Sequence, residues 1–316
     1  MKVFRSVAEA PADFGPSAVA IGNFDGVHLG HRGIMRRLVA EARDRGLIAT
    51  VLTFDPHPAR VLAPERAPKL IMTLEQRLRA FESEGVEAVL CLPFSIEFAK
   101  QTPEEFARTI LVDRLRARLV MVGEDFKFGR AQSGDIDTMR ALGAQLGFDV
   151  EPVVLLCDGK DRVSSTAIRA MIAQGKVSTA CRKLGAPFAL EGDVVKGEGV
   201  GSKQTVPTLN LAPRNEMLPA HGVYVTRTSD PESGRKWPSI TNVGLRPTFG
   251  GDHLTVETFL LSPLEGESPR HIEVQFLRYV REERKFENAD ALKRQIFRDV
   301  AVANRLHARL KRLGVG

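Results

Sequence analysis

At 316 residues, 43% of them hydrophobic, the chain is long enough to bury cores of its own, and its length favours two domains over one. No apolar run approaches the roughly 20 residues that span a bilayer, and the opening MKVFRSVAEAPADFG has no apolar h-region, so neither membrane association nor a secretory leader is expected and a cytoplasmic location is. A net charge of +6 suits polyanionic partners such as nucleoside triphosphates, whereas two Tyr and one Trp leave little for stacking bases, so nucleic acid is not expected as a partner.

From the N-terminus to about Gly185 the sequence alternates β-rich runs with amphipathic stretches. The runs are SAVAI, LIATVLTF, VEAVLCL, LVMVG and VEPVVLL, and their continuous apolarity predicts strands buried on both faces. Helix starts lie between them. Thr73 and Gln76 form a capping-box pattern, and Thr102-Pro103-Glu104-Glu105 supplies an N-cap, a proline at the first helical position and acid in the first turn. Such alternation predicts a parallel, doubly wound α/β domain. Cys91, Cys157 and Cys181 are scattered and lack metal-ligand spacing, as core thiols in a reducing compartment would.

The rhythm changes after Gly185. FALEGDVVKG, GVYVTRT, KWPSITNVG, LTVETFLL and HIEVQFLRYV follow one another across Gly- and Pro-rich turns, which predicts a small antiparallel barrel or sandwich. A closing amphipathic helix is expected from about Asn288 to Leu313, with Leu292, Ile296, Val300 and Leu306 on its packed face. Its basic residues interleave with that pattern and read as a solvated face. The boundary is expected at 185/186, giving domains over 1–185 and 186–316.

The most informative segment is GNFDGVHLGH, Gly22 to His31, directly after the first long strand and opening a helix. Backbone N–H groups at a helix N-terminus face an anion favourably. His28 and His31 add donors three positions apart, on one helix face. No GxxxxGK[ST] or GxGxxG occurs, so this is neither a P-loop nor a dinucleotide fingerprint. TFDPHP (Thr53–Pro58), GEDFKFG (Gly123–Gly129) and VSSTAIR (Val163–Arg169) also follow strands, and the last brings three hydroxyls and an arginine fork to a helix start.

Together, in this order, these segments resemble the FMN adenylyltransferase module of prokaryotic FAD synthetases, of the HxGH nucleotidyltransferase superfamily, over about residues 15–185. The resemblance implies a Rossmann-like domain. His28, His31 and Arg169 would serve the chemistry, and Gly22, Phe24, Asp25, Gly30, Ser164 and Thr166 would bind ATP. Asp55, Pro56, Pro58, Asp125 and Phe128 would border the flavin. A phosphate nucleophile is already ionised, so alignment and stabilisation of the departing pyrophosphate suffice.

In the second half, GDVVKGEGVGSKQTVPTLNL (Gly192–Leu211) places Gly197, Gly199 and Gly201 at alternate positions, fit for a phosphate nest or simply a turn. PTLN at Pro207–Asn210, GVY, NVGLRPTF and VETF at Val256–Phe259 resemble riboflavin kinases. The resemblance implies phosphate binding by the three glycines and Lys203, Mg²⁺ held by Thr208 and Asn210, and Glu257 as general base towards the riboflavin 5′-hydroxyl. A hydroxyl nucleophile needs that base, and the Thr and Asn oxygens are hard ligands suited to Mg²⁺.

The pattern departs from the family at Ser202 and Lys203, at Phe259, and at Ser262-Pro263-Leu264-Glu265-Gly266. The expected function is phosphorylation of riboflavin to FMN followed by adenylylation of FMN to FAD. The partners are then riboflavin, FMN, FAD, ATP and ADP, with weak self-association left open. Two alternatives remain at this stage: an adenylyltransferase with a degenerate barrel, and a non-enzymatic flavin- or RNA-binding regulator.

Overall fold

The computed structural model describes residues 1–153, 157–158, 161–195, 208–248, 251–284 and 286–314. Chain contacts divide it into two compact units: Met1–Lys69 with Leu74–Ser164, and Leu70–Thr73 with Ser165–Gly316.

The first unit begins with β1 (Lys2–Phe4), β2 (Ser17–Ile21), α1 (Leu29–Asp44), β3 (Ile48–Phe54), α2 (Pro58–Leu62) and α3 (Leu74–Ser83). There follow β4 (Ala88–Leu92), α4 (Pro103–Phe106), β5 (Ala117–Gly123), α5 (Ile136–Leu146), β6 (Asp149–Val153) and a two-strand ribbon of β7 (Cys157–Asp158) and β8 (Asp161–Arg162). Every residue of β2 and β4 is buried, as their unbroken apolarity predicts. Thr102 and Glu105 complete a reciprocal capping box at α4.

The sheet runs β1-β4-β3-β2-β5-β6, with every pair parallel. The chain moves outward from β2 through β3 to β4, then returns to β5 on the other side of β2. That reversal opens a crevice beyond the carboxyl ends of β2 and β5. GNFDGVHLGH leaves β2 and GEDFKFG leaves β5 at this point.

The second unit contains α6 (Ser165–Ala173), α7 (Val177–Leu184), β9 (Phe188–Val195), β10 (Thr208–Pro213), β11 (Gly222–Ser229), β12 (Lys236–Thr248), β13 (Gly251–Leu260), β14 (His271–Arg281) and α8 (Ala289–Arg312). The six strands close into an antiparallel barrel, β10-β13-β12-β11-β14-β9. Phe188, Leu190, Tyr224, Val274 and Phe276 are fully or almost fully buried. Beside them runs a buried hydroxyl chain, Thr228–Ser239–Thr226–Thr241–Thr258, with successive O···O distances of 2.8, 2.8, 2.7 and 2.9 Å. Each hydroxyl is hydrogen-bonded, so a polar seam persists in a closed interior without unsatisfied groups.

Residues 165–184 group with the barrel, ahead of the 185/186 boundary expected from sequence. Ser178 Oγ donates to the Leu277 carbonyl at 2.8 Å and Cys181 Sγ to that of Phe276 at 3.3 Å, which fastens α7 along β14. The short segment Leu70–Thr73 groups there too. The Leu70 N–H donates to the Glu216 carboxylate at 2.9 Å, Asn215 Nδ2 to the Ile71 carbonyl at 3.4 Å, and the Thr73 hydroxyl to Glu191.

Helix α8 packs Val302, Ala303 and Leu306 onto Val223, Val225, Ile240 and Phe259. Leu292, expected on that face, remains 41% exposed. Nearby the inner side is polar: Asp299 accepts from Arg281 Nε and Nη2 at 3.0 and 2.8 Å, and from Gln295 at 2.8 Å.

Candidate active sites

In the first unit the β2–α1 loop has an unusual backbone. Gly26 has φ +82°, and two non-glycine residues, Phe24 and Val27, also lie in the left-handed region at +49° and +37°. A side chain at Gly22 would meet the Phe24 ring, its Cβ only 2.9 Å from Phe24 Cζ. His28 is the N-cap of α1: its Nδ1 accepts from the His31 N–H at 3.3 Å. An accepting Nδ1 places the neutral imidazole's proton on Nε2. The two imidazoles stack with centroids 3.6 Å apart, and Phe24 meets His31 edge-on at 5.3 Å.

Burial pushes the His28 pKa down to about 4 despite nearby Asp25, and pushes His31 well below the ordinary range, with His28 adding to the effect. Both rings are therefore neutral near pH 7 and offer N–H groups rather than charge. Gly30 is buried within α1, and Asp25 is 3% exposed.

Asp55, Pro56 and Pro58 follow β3, where His57 caps α2 by accepting from the Ala59 N–H at 3.1 Å. Asp55 is half-exposed, with its Oδ1 4.0 Å from Arg77 Nη2. Arg77, on α3, was not among the residues singled out from sequence. Asp125 is exposed in the loop after β5, and Phe128 is buried.

Phe128 belongs to an arc that sequence reasoning did not assemble. Phe54 contacts Phe94 and Phe98 with centroids at 5.6 and 5.8 Å, Phe98 meets Phe106 at 6.2 Å, Phe106 meets Phe128 at 5.8 Å, and Phe126 stacks on Phe128 at 5.3 Å. Several arc members follow strand ends, which is the one signal that could have linked them. Ser164 precedes α6, while Thr166 and Arg169 stand one helical turn apart on α6 in the second unit.

In the barrel, Gly197, Gly199, Gly201 and Lys203 lie outside the described residues, as do Ser202 and Pro207. Strand alternation puts Thr208 and Asn210 on one face of β10. Asn210 is in register with Glu257 of β13, and Glu257 with Asn242 of β12. The three side chains thus form a cross-strand row on the face opposite the hydroxyl chain. Asn242 Nδ2 donates to Glu283 at 3.3 Å. Asn242 opens the NVGLRPTF segment that resembles riboflavin kinases but was given no role of its own from sequence. Phe259, one of the departures from the family pattern, is accounted for by packing beneath α8.

Two neutral, stacked histidines at the switch point of a parallel sheet in one unit, and a hydroxyl, a carboxamide and a carboxylate on one strand face of a closed barrel in the other, are folds and polar groups suited to enzymes that act on phosphate compounds. Residues 10–167 match the FAD synthetase family and residues 184–307 the riboflavin kinase family. The chain belongs to the bifunctional riboflavin kinase/FMN adenylyltransferase family. It is 36% identical to the member from Escherichia coli K12 over 307 residues, covering 96% of this chain and 97% of the relative. It is likewise 36% identical to that of Pseudomonas fluorescens, covering 98% of both chains, and 33% identical to that of Haemophilus influenzae, covering 96% and 98%.

A Streptococcus pneumoniae crystal structure titled a macrolide-efflux protein superposes with a TM-score of 0.84 at 28% identity, covering 96% of this chain and 98% of that one. Among the described residues of the present chain, no helix is long and apolar enough to cross a membrane.

Proposed function

We propose that the α/β unit transfers AMP from ATP to FMN, giving FAD and pyrophosphate, and that the barrel transfers the γ-phosphoryl group of ATP to riboflavin, giving FMN and ADP. In the first reaction an FMN phosphate oxygen attacks the α-phosphorus, and the bond from that phosphorus to the β-phosphate bridge breaks. Negative charge grows on pyrophosphate as it leaves. His28 Nε2–H, His31 and the N-terminal N–H groups of α1 supply donors for that charge. Ser164, Thr166 and Arg169 are assigned to the same triphosphate from sequence alone. Gly22, Phe24, Asp25 and Gly30 shape the ATP seat. The flavin is bordered by Asp55, Pro56, Pro58 and Asp125, and the Phe54–Phe128 arc, whose Phe106 and Phe128 are packed in the core, backs that edge with aromatic side chains.

In the barrel the ribityl 5′-hydroxyl attacks the γ-phosphorus and loses its proton to the Glu257 carboxylate. Thr208 and Asn210 lie on the same strand face as this carboxylate, and their oxygens suit Mg²⁺, which prefers hard ligands and shares itself with phosphates. When bound, that ion supplies charge neutralisation to the triphosphate. Gly197, Gly199, Gly201 and Lys203 are assigned to the same triphosphate from sequence alone.

The observation that carries the adenylyltransferase assignment is the cap geometry, with His28 Nδ1 engaged by the His31 N–H. Replacing both histidines by alanine is expected to cut FAD formation from FMN by about a hundredfold or more, since removing one such donor costs roughly 10²–10³ in turnover. FMN formation from riboflavin should persist. An equal fall in both activities of a folded protein would defeat the two-site assignment.

A further inference from the structure

The β2–α1 loop holds two non-glycine residues at positive φ, Phe24 at +49° and the β-branched Val27 at +37°. Such backbone persists only where its surroundings over-determine it. Much of that constraint comes from α3. Arg77 and Phe81 stand one turn apart on this helix, 3% and 0% exposed. Phe81 meets the Phe24 ring edge-on at 5.8 Å. Arg77 Nη1 donates to the Asn23 carbonyl at 2.9 Å and to Thr53 Oγ1 at 3.3 Å, and Thr53 Oγ1 itself lies 3.4 Å from the same carbonyl. Two donors therefore converge on the peptide group immediately before Phe24.

A buried guanidinium is a poor choice for packing alone. Its desolvation is costly, and among the described residues Nε has no hydrogen-bond partner while the Asp55 carboxylate stands no nearer than 4.0 Å from the guanidinium. An apolar residue would fill this place on α3 at lower cost, yet would leave the Asn23 carbonyl without the nearer of its two donors. Phe24 contacts His31, and His31 stacks on His28, so the orientation of both imidazoles follows from where Asn23 and Phe24 are held.

We propose that Arg77 is a positioning residue for adenylyl transfer, fixing the strained loop through the Asn23 carbonyl so that His28 and His31 meet the triphosphate in register. The inference rests on the two-histidine assignment above. It requires a defect in turnover more than in substrate affinity, because displacement of catalytic groups by about 1 Å costs on the order of 10²-fold in rate.

The test uses the full chain and compares Arg77→Met, Arg77→Lys and the His28→Ala/His31→Ala double variant. For Arg77→Met, kcat for FAD formation from FMN and ATP should fall about 10- to 100-fold while both KM values move less than about threefold. Arg77→Lys, which keeps the charge and a single donor group, should fall between Met and wild type. Riboflavin phosphorylation by the same samples should be unchanged, which reports on folding. A folded Arg77→Met protein with near-normal kcat, or one whose KM rises at constant kcat, overturns the proposal. Should the Met variant not fold, a wild-type kcat for Arg77→Lys overturns it. Retention of FAD synthesis by the histidine double variant would instead remove the underlying assignment.

Discussion

His28 and His31 sit where anions are expected, yet both are neutral, and this sets a pH signature. The His28 pKa falls from 6.5 to about 4 through burial, and His31 moves the same way. Below pH 6.5 the unfolded chain takes up protons that the folded loop refuses, so stability is complete above that value and declines as pH falls towards 4. Melting temperatures measured from pH 7 to 4.5 should therefore drop more steeply for the wild type than for a variant with His28→Asn, in which asparagine still caps α1. Parallel curves would show that His28 does not resist protonation.

At Glu257 the chemistry differs. Glu257→Gln keeps shape but cannot accept the ribityl proton, so riboflavin phosphorylation should fall by roughly 10²–10⁴-fold in kcat with little change in riboflavin KM, while FMN adenylylation continues. A Gln variant with near-normal FMN production would remove Glu257 from the mechanism. The histidine loop was legible in sequence because its parts are contiguous in one decapeptide. Arg77 was not, because a basic residue in an amphipathic helix has the same pattern whether it meets solvent or a carbonyl. Asn242 was hidden for a similar reason, since only strand register places it beside Glu257.

Among the elements, the long strands were legible because unbroken apolar runs such as SAVAI and AVLCL have few alternatives to a doubly covered sheet. Strand β1 was not, having three residues, and neither was the partner of α6 and α7. An amphipathic pattern says that a helix has an apolar face, not which unit receives it. Contacts assign residues 165–184 to the barrel, where Val177, Ala180 and Leu184 are buried. A chain beginning at Ser165 should therefore be more stable than one beginning at Ala186, the boundary expected from sequence. The difference should be a few kcal/mol, since burying a Val or Leu side chain contributes about 1.5–3 kcal/mol. Denaturant titration of the two truncated proteins reads this directly. Equal midpoints and slopes would show that α6 and α7 do not support the barrel.

Over the whole molecule, two ATP-dependent reactions occupy one chain and share one intermediate, FMN. The histidines and the kinase groups do not overlap: His28 and His31 lie in the α/β unit, and Thr208, Asn210 and Glu257 lie in the barrel, while Arg169, assigned to adenylyl transfer, stands on α6 of the second unit. A chain with His28→Ala and His31→Ala should thus make FMN and stop there, and a chain with Glu257→Gln should make FAD only when FMN is supplied. Mixed with riboflavin and MgATP, the two should restore FAD synthesis between them. FMN made by the first must then cross solution to reach the second, so FAD should appear after a lag during which free FMN accumulates. The lag should shorten as the adenylylation-competent chain is raised at a fixed amount of its partner, because less FMN must then accumulate before its consumption matches its supply. Chromatography of timed samples resolves riboflavin, FMN and FAD and gives all three courses. The wild-type chain under the same conditions should show the same lag and the same pool of free FMN; FAD formed with neither would mean that FMN passes from barrel to α/β unit without release.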